Sequence, residues 1–334
     1  MTKQLSQSEA TALKSGVVER LRSAKIPYQR FNKLDKRLSE YIRECIKHPS
    51  LHNVYELLSI ERFLHKVDRY VLRDEKVLHF ITFYEHIRLP SAEGMVFFSL
   101  TPVQVFQFAN IFWFYHDDGE RRLVRDVLLF VPRKFSKTTS IATLSVYDLL
   151  YGDANAESYV GSNSYQQSQV CFGVISKILR ALDPQLRRFK INREQVFNRM
   201  PGKMSIARCL SSAADRLDGL NASLVIIDEY AQAESDALKS VLTSSMGARR
   251  NPLTFVITTA SDKLDTPFTE MLDAYKSILR GEVENDSIFA HIFEPDVDDE
   301  EGDPNTWHKV QPHLGVTVRP EYYEAEYQKA QLTA

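Results

Sequence analysis

The sequence predicts an α/β fold in which a mainly parallel central sheet is flanked by helices and preceded by a helical N-terminal region. Two observations carry this prediction. Apolar residues recur at helical spacing from Ser6 to about Tyr84, and short apolar runs alternate with helical segments after Pro90. Alternating strands and helices favour a parallel sheet covered on both faces, with ligands bound at the carboxyl ends of the strands.

The composition is that of an ordinary globular chain. Its 334 residues are 43% hydrophobic and 26% charged, with 12 Gly and 13 Pro, which excludes fibrous and low-complexity classes. Lys and Arg total 42 against 44 Asp and Glu, so the net charge neither suggests nor excludes a nucleic-acid partner. The 3 cysteines form no C-x-x-C pair and indicate neither a zinc site nor a disulfide framework. The sequence shows no signal peptide or membrane-spanning stretch, so we expect no membrane partner.

Helix signals dominate the N-terminal region. A capping box of Ser6 and Glu9 starts the first predicted helix, which stops at Pro27. The second predicted helix ends at Pro49. Its apolar face repeats every four residues, at Leu34, Leu38, Ile42 and Ile46. We therefore predict helices and no strands in this region.

Six apolar runs bounded by polar turns are predicted to be strands. They are Val127–Val131, Tyr159–Val160, Met204–Cys209, Leu224–Ile227, Leu253–Thr258 and Ser287–Phe293. The acidic run from Glu294 to Pro304 is predicted to be a solvated linker, because no other ligand types converge on it to make a metal site. A final helix is predicted from about Pro320.

The segment that follows Val127–Val131 has the layout of a phosphate-binding loop: strand, loop, Lys-Thr, then an amphipathic helix. Lys137 would add positive charge beside the phosphates and Thr138 would bind Mg²⁺. The usual motif has glycine where Val131 and Ser136 stand, so on this segment alone a surface strand-to-helix turn stays open. The candidate nucleotide-binding residues of the loop are Arg133, Lys134, Ser136, Lys137, Thr138 and Thr139.

An apolar strand that ends in two carboxylates strengthens the prediction of a nucleotide site. Asp228 would hold Mg²⁺ through water, and Glu229 would take a proton from an attacking water. A buried strand capped by solvated acids is the alternative. A further strand ends in hydroxyl residues that would sense the γ-phosphate through Glu229. In this order the motifs predict an ATPase that uses ATP and Mg²⁺.

With these motifs in this order, the chain resembles the ATPase half of the large terminase subunits, the DNA-packaging motors of tailed bacteriophages. The run from Leu217 to Ser261 is the most specific part, and the likeness extends from about Ser99 to the end. The resemblance implies a P-loop NTPase of the additional-strand catalytic-glutamate type. It divides the chain into a helical N-terminal region (1–90), a P-loop ATPase domain (91–295), and an acidic linker and connector (296–334) toward an absent nuclease domain. No nuclease activity is then expected from this chain alone.

The resemblance also assigns roles to single residues. Arg133 matches an arginine that the family carries early in the loop, Lys137 the phosphate lysine, and Thr138 with Asp228 the magnesium ligands. Glu229 matches the catalytic glutamate. The residues that match the motif coupling hydrolysis to movement are Thr258, Thr259 and Ser261.

Three further sets of residues follow from the resemblance. Gln104 matches a residue that recognises adenine, although a plain role at a helix N-terminus after Pro102 stays open. The candidates for an arginine that acts on a neighbouring subunit are Arg216, Arg249 and Arg250, each of which is otherwise a solvated or salt-bridged arginine. The candidates for DNA backbone contact are Arg187, Arg188, Lys190 and Arg193, otherwise an exposed basic loop.

The implied function is ATP-driven translocation of double-stranded DNA into a procapsid, in the cytoplasm of a bacterial host cell. The implied partners are a portal protein, a small terminase subunit and further copies in a homo-oligomeric ring, with a monomer in isolation. A nucleotide-binding assembly protein in which Ser136 has blunted hydrolysis is one alternative. A helicase-like DNA-remodelling ATPase is another, disfavoured because about 40 residues after Phe293 are too few for a second such domain.

Overall fold

The computed structural model describes residues 5–211, 219–263 and 265–333. The helices are α1 (Gln7–Ser23), α2 (Tyr28–Leu34), α3 (Lys36–Lys47), α4 (Val54–Arg69), α5 (Asp74–His86), α6 (Pro102–Phe112), α7 (Lys137–Tyr151), α8 (Tyr165–Leu182), α9 (Ala237–Ser244), α10 (Pro267–Leu279), α11 (Pro304–Val310) and α12 (Pro320–Thr333). The strands are β1 (Val71–Leu72), β2 (Arg88–Ser91), β3 (Gly94–Phe97), β4 (Phe114–Tyr115), β5 (Asp126–Phe130), β6 (Glu157–Ser162), β7 (Phe189–Ile191), β8 (Gln195–Asn198), β9 (Ile206–Ser211), β10 (Leu224–Asp228), β11 (Leu253–Thr258) and β12 (Ile288–Ile292). Among these helices none has both the length and the apolar character needed to cross a membrane.

An eight-stranded sheet forms the centre of the molecule, with the strand order β12-β5-β11-β10-β6-β9-β8-β7. Strands β12 through β9 in this order are parallel, and β8 and β7 continue the sheet antiparallel at one edge. Strand β11 lies between β5 and β10, which is the additional strand that the predicted fold requires. The predicted α/β fold with a mainly parallel sheet is therefore confirmed.

The six predicted strands are all present, with bounds close to those expected, and the last helix begins at Pro320 as predicted. Several short strands were missed: the pair β1 and β4, the hairpin of β2 and β3, and the hairpin of β7 and β8. The expectation of a strand-free N-terminal region is wrong, because β1 pairs with β4 far along the chain. A strand of two residues carries too little periodicity to be seen before its partner is known.

The capping box of Ser6 and Glu9 is confirmed at the start of α1. The second predicted helix is two helices, since Leu34 ends α2 and a break at Asp35 precedes α3. The Asp35 carboxylate explains the break, because it accepts a hydrogen bond from the Arg37 backbone N–H at 2.9 Å and so caps α3. Side-chain capping thus interrupts an apolar repeat that looked continuous.

The N-terminal helices brace the β12 edge of the sheet. Asn53 donates from Nδ2 to the Ile292 carbonyl at 2.9 Å, and the Tyr41 hydroxyl lies 3.0 Å from His291 Nε2. The same hydroxyl donates to the buried Glu56 carboxylate at 2.5 Å. The hydrophobic core extends from Val17 to Phe293 across residue 90. The division into three segments stays a prediction, although these contacts support a bracing role for the first.

The acidic segment is not solvated throughout, which corrects the expectation of a solvated linker. Asp296 pairs with Lys14 at 2.6 Å and with Lys309 at 3.1 Å, and its carboxylate accepts from the Val54 N–H at 2.9 Å. Asp299 also pairs with Lys309. These lysines come from α1 and α11, so their convergence depends on the tertiary fold and leaves no local signal in the sequence.

Folding stability is expected to fall as pH drops through 6.5. Burial lowers the pKa of His291 to about 4, and the nearby Glu56 carboxylate offsets only part of this. Below a pH of about 6.5 the unfolded chain therefore binds a proton at this histidine that the folded chain does not bind. Between pH 7.5 and pH 5 this lowers the free energy of unfolding by about 2 kcal/mol. Urea unfolding of His291→Gln should show a pH dependence smaller by about that amount. The exposed His86→Gln is the matched control, and an unchanged pH dependence in His291→Gln would contradict the assignment.

Candidate functional site

The loop between β5 and α7 has the backbone of a phosphate-binding loop despite its lack of glycine. Lys134 and Ser136 have positive φ angles of 70° and 64°. Such left-handed backbone favours glycine, so Ser136 adopts the conformation for which the usual motif has glycine. The helix α7 begins immediately after, and its first N–H groups lack intrahelical acceptors and suit an anion.

The parallel register of the sheet brings this loop to the predicted acids. Phe130 at the end of β5 pairs with Thr258 of β11, and Ile257 of β11 pairs with Asp228 of β10. The Val131 N–H donates to the Thr258 carbonyl at 3.0 Å, which ties the start of the loop to β11. The carboxyl ends of the three strands therefore meet at one edge of the sheet.

Lys137 and Glu229 form an ion pair across this edge. The other carboxylate oxygen of Glu229 accepts hydrogen bonds from the Thr259 hydroxyl at 3.0 Å and the Thr259 N–H at 3.4 Å. Burial would raise the pKa of Glu229, but the hydrogen bond and charge of Lys137, with the bonds from Thr259, lower it below its ordinary value. Glu229 is thus held as a carboxylate, in a backbone of positive φ.

Asp228 lies beside this pair at the end of β10. Its Oδ1 is buried and has no hydrogen-bond partner among the described residues. Burial raises the pKa of Asp228 to about 6, and the charge of Glu229 adds to the rise while Lys137 opposes it. An orphaned buried carboxylate oxygen facing a phosphate loop fits a divalent cation, with the half-buried Thr138 hydroxyl as the second protein oxygen.

The hydroxyl residues at the end of β11 and in the loop after it hydrogen-bond to different partners. Thr259 contacts Glu229 as predicted, whereas the Thr258 hydroxyl accepts from the Ala231 N–H at 2.9 Å and fixes the turn after the acids. The Ser261 hydroxyl accepts from the Lys263 N–H at 3.2 Å, within its own loop. The structure therefore gives Thr259 the direct contact and Thr258 a supporting one.

Gln104 is buried at the start of α6. Its Oε1 accepts hydrogen bonds from the Thr101 N–H and hydroxyl, each at 3.0 Å, in a capping box. This is the plain helix N-terminal role that the sequence left open. Because the carbonyl oxygen is engaged, adenine recognition by Gln104 would rest on its Nε2 alone and stays a prediction.

The three candidate arginines differ in their surroundings. Arg249 is bound within its own chain, since it donates to the Asn221 carbonyl at 2.9 Å and to the Asn155 carbonyl at 2.7 Å. Arg250 is exposed and forms an ion pair with Glu120. Arg216 lies outside the described residues. A role on a neighbouring subunit would cost Arg249 several hydrogen bonds and Arg250 one surface ion pair.

The predicted DNA-contacting residues lie at the edge of the sheet opposite β12. They are exposed on and before the hairpin of β7 and β8: Arg187, Arg188, Lys190 and Arg193. Arg188 is partly engaged, with its Nε 3.8 Å from Asp183. The structure does not bring this basic group to the phosphate loop, and a DNA contact there would be separate from the nucleotide site.

Two sets of contacts escaped the sequence analysis. Asn163, just after β6, donates from Nδ2 to the Glu229 carbonyl at 2.6 Å and lines an open cleft of about 900 Å³ beside the acids. A polar residue at a strand's carboxyl end was a usable signal for it. The other set comes from the C-terminal segment: Gln311 and Thr317 donate to the carbonyls of Arg133 and Lys134. No local signal could have found these contacts.

Comparisons with known proteins agree with this geometry. Protein YmfN of Escherichia coli strain K12 is 34% identical over 117 residues, which are 35% of this chain and 26% of YmfN. The large terminase subunit of Enterobacteria phage HK97 is 29% identical over 201 residues, 57% of this chain and 37% of that protein. The chain thus spans well under half the length of either relative.

A solved structure shows the same fold. The crystal structure of the HK97 large terminase superposes with a TM-score of 0.64 at 22% identity, covering 78% of this chain and 52% of that one. A family model for the terminase large subunit ATPase domain matches residues 102–278, more than half of the chain. That segment contains Lys137, Asp228 and Glu229. The chain therefore belongs to the terminase large subunit ATPase domain family.

Proposed function

We propose that this chain is the ATP-hydrolysing motor part of a terminase large subunit, which translocates double-stranded DNA into a procapsid. The observation that carries the proposal is the contact of Lys137 with Glu229, which Thr259 supports from the other carboxylate oxygen. A phosphate lysine, a catalytic base and a hydroxyl sensor are thereby joined at one sheet edge. Family membership makes ATP the expected nucleotide.

The ion pair defines a resting arrangement of the site. Without nucleotide, Lys137 neutralises Glu229; a bound triphosphate offers Lys137 a larger negative charge and competes for it. Glu229 then turns from the lysine to the attacking water and accepts its proton as the water oxygen bonds to the γ-phosphorus, while the bond from the γ-phosphorus to the β,γ-bridging oxygen breaks and ADP leaves with that electron pair. In the resting arrangement, the hydrogen bond and charge of Lys137 lower the pKa of Glu229, so Glu229 is unprotonated at neutral pH before nucleotide binds.

Thr138 and Asp228 are the residues that would hold Mg²⁺ in this site. When bound there, the ion neutralises charge on the β- and γ-phosphates. The orphaned Oδ1 of Asp228 is the observation that favours this pair of ligands. Arg133 and Lys134 are exposed in the loop and Thr139 is half-buried in the first turn of α7, and in this proposal they add contacts to the phosphates.

Movement would begin at the residues that hold Glu229. Thr259 follows β11 and Asn163 follows β6, and both residues hydrogen-bond to Glu229. A shift of Glu229 would therefore displace the ends of the strands on both sides of β10. The proposed outcome is displacement of a DNA-gripping surface, for which the basic hairpin residues Arg187, Arg188, Lys190 and Arg193 are candidates. Phosphate-directed contacts of this kind are independent of sequence, as a translocating motor requires.

The proposed partners are double-stranded DNA, the portal protein, the small terminase subunit and further copies of the chain in a ring. A neighbouring subunit would supply the arginine that stabilises the transition state, and such arginines contribute about three to five orders of magnitude in related enzymes. Arg250 would give up fewer contacts within its own chain than Arg249 on reaching a neighbouring subunit, so we prefer Arg250 to Arg249 for this role. Arg216 stays a candidate.

Replacement of Glu229 by glutamine is expected to abolish ATP hydrolysis while ATP binding survives. The amide keeps the shape and the hydrogen bond to Thr259 but cannot accept the proton of water. Steady-state phosphate release and equilibrium ATP binding are the two measurements, and Lys137→Ala is the matched variant that should lose binding as well. Wild-type turnover in Glu229→Gln would contradict the assignment of the catalytic base.

The serine of the phosphate loop is expected to be compatible with hydrolysis. Ser136 already has the left-handed backbone that the motif requires, so Ser136→Gly should stabilise the fold by up to about 1 kcal/mol and change turnover only a few-fold. Ser140→Gly, one turn into α7, is the control and should destabilise the fold by about 1 kcal/mol. A rise in turnover of more than tenfold in Ser136→Gly would favour the alternative of a nucleotide-binding assembly protein.

Linear duplex DNA is expected to stimulate ATP turnover in a salt-dependent way. Alanine at both Arg187 and Lys190 should weaken DNA binding at all sequences and reduce the dependence on salt, because two exposed phosphate-directed charges are lost. Turnover without DNA should stay unchanged. The assay needs high protein concentration so that neighbouring subunits can meet. Background turnover with DNA present, despite tight ATP binding, would oppose the motor and favour the assembly protein.

A further inference from the structure

A second cavity adjoins the phosphate loop where the C-terminal segment contacts it. It has a volume of about 660 Å³ and lies between residues 132–134 of the loop, Thr259 with Ala260, and the C-terminal segment. The C-terminal residues that line it are Gln311, Val318, Tyr322, Tyr323 and Glu326. This C-terminal segment belongs to none of the predicted motifs, which are the phosphate loop, the acids of β10 and the hydroxyls of β11.

The cavity shares two lining residues with the open cleft beside the acids. These residues are Arg133 and Ala260, so the two spaces adjoin at the phosphate loop. Lys137 and Glu229 fix the place of the terminal phosphate on the β10 side of β5. The rest of a nucleotide must then leave past the loop in another direction, and the chain that follows β12, on the other side of β5, forms this cavity.

Hydrogen bonds fix the position of the C-terminal wall against the loop. Gln311 donates from Nε2 to the Arg133 carbonyl at 3.1 Å, and Thr317 donates to the Lys134 carbonyl at 3.2 Å. The His313 ring stacks on Phe135 of the loop, with centroids 4.4 Å apart and planes 12° apart. The spacing between the loop and α12 is therefore set by contacts that bury Gln311 and His313.

The lining of the cavity suits a planar base. Tyr322 is 53% exposed, and Tyr323 is the next residue in the chain. The ring of Tyr323 packs against Trp307, with ring centroids 6.0 Å apart. An aromatic side chain kept half in solvent beside an arginine-bearing phosphate loop is a stacking surface, since every nucleobase offers a π face. Gln104 has its carbonyl oxygen engaged by Thr101, so the tyrosines are the better-placed groups for the base.

We propose that the C-terminal segment from Gln311 to Glu326 forms the nucleoside side of the nucleotide site, with Tyr322 stacking on the base of ATP. This inference rests on the proposed ATP-hydrolysing function. It assigns Gln311 and Thr317 as positioning residues, which hold the loop carbonyls and set the gap into which the base fits. The nucleoside would then contact a segment that lies beyond the motifs of the phosphate site.

Calorimetric titration with Mg²⁺ and two ligands, ATP and inorganic tripolyphosphate, tests the proposal. Tyr322→Ala should weaken ATP binding by about tenfold or more, the effect of losing one stacked base, and leave tripolyphosphate binding unchanged. Tyr322→Phe, which keeps the ring, should bind ATP within about threefold of wild type. Glu324→Ala, exposed on the same helix and outside the cavity, is the control and should match wild type for both ligands.

Each other result has a distinct meaning. Unchanged ATP binding in Tyr322→Ala would overturn the stacking role, and equal weakening of both ligands would overturn it in favour of an effect through the loop. A wild-type chain that binds tripolyphosphate but not ATP would overturn the nucleoside wall and leave the phosphate site intact. A wild-type chain that binds neither ligand would instead overturn the proposed ATPase function, and this inference with it.

Discussion

The ion pair of Lys137 and Glu229 is the interaction on which the rest of the site depends. It joins the first residue of α7, the helix that follows β5, to the turn after β10, and β11 separates β5 from β10 in the sheet. Both side chains are largely shielded from water, at 12% and 20% exposure, so their attraction is stronger than that of a surface pair. Because the pair is not fully buried, an incoming phosphate can still reach and replace one partner.

The site is held together by residues in unusual backbone conformations. Lys134, Ser136 and Glu229 all have positive φ, which costs each of them of order 1 kcal/mol and persists only where the surroundings enforce it. The enforcement at the loop comes from Phe135, buried between the two left-handed residues and stacked on His313. Loop geometry that glycine would supply locally is supplied here by tertiary packing.

The sequence predicted the central sheet and the pair of acids that ends β10 because those signals are local. Apolar runs marked β5, β10 and β11, and the charges at their ends identified Lys137 and Glu229. It could not predict contacts made by segments that lie outside these motifs. Gln311 with the Arg133 carbonyl is separated by 178 positions, and neither residue type signals the other. The break at Asp35 was missed for a different reason, since a cap can interrupt an apolar repeat without altering it.

The two edges of the sheet are tied to different parts of the chain. At the β12 edge, Asp296 joins α1 to α11 through Lys14 and Lys309, and Asn53 binds the Ile292 carbonyl. At the other edge, the hairpin of β7 and β8 adds its antiparallel strands beyond β9 and carries exposed basic residues. Glu229 lies between these edges, bonded to the ends of β11 and β6 by way of Thr259 and Asn163. Because Asn198 of β8 donates from Nδ2 to the Leu149 carbonyl of α7 at 2.9 Å, the hairpin edge is tied to the helix that begins at Lys137, so both partners of the ion pair are connected to that edge.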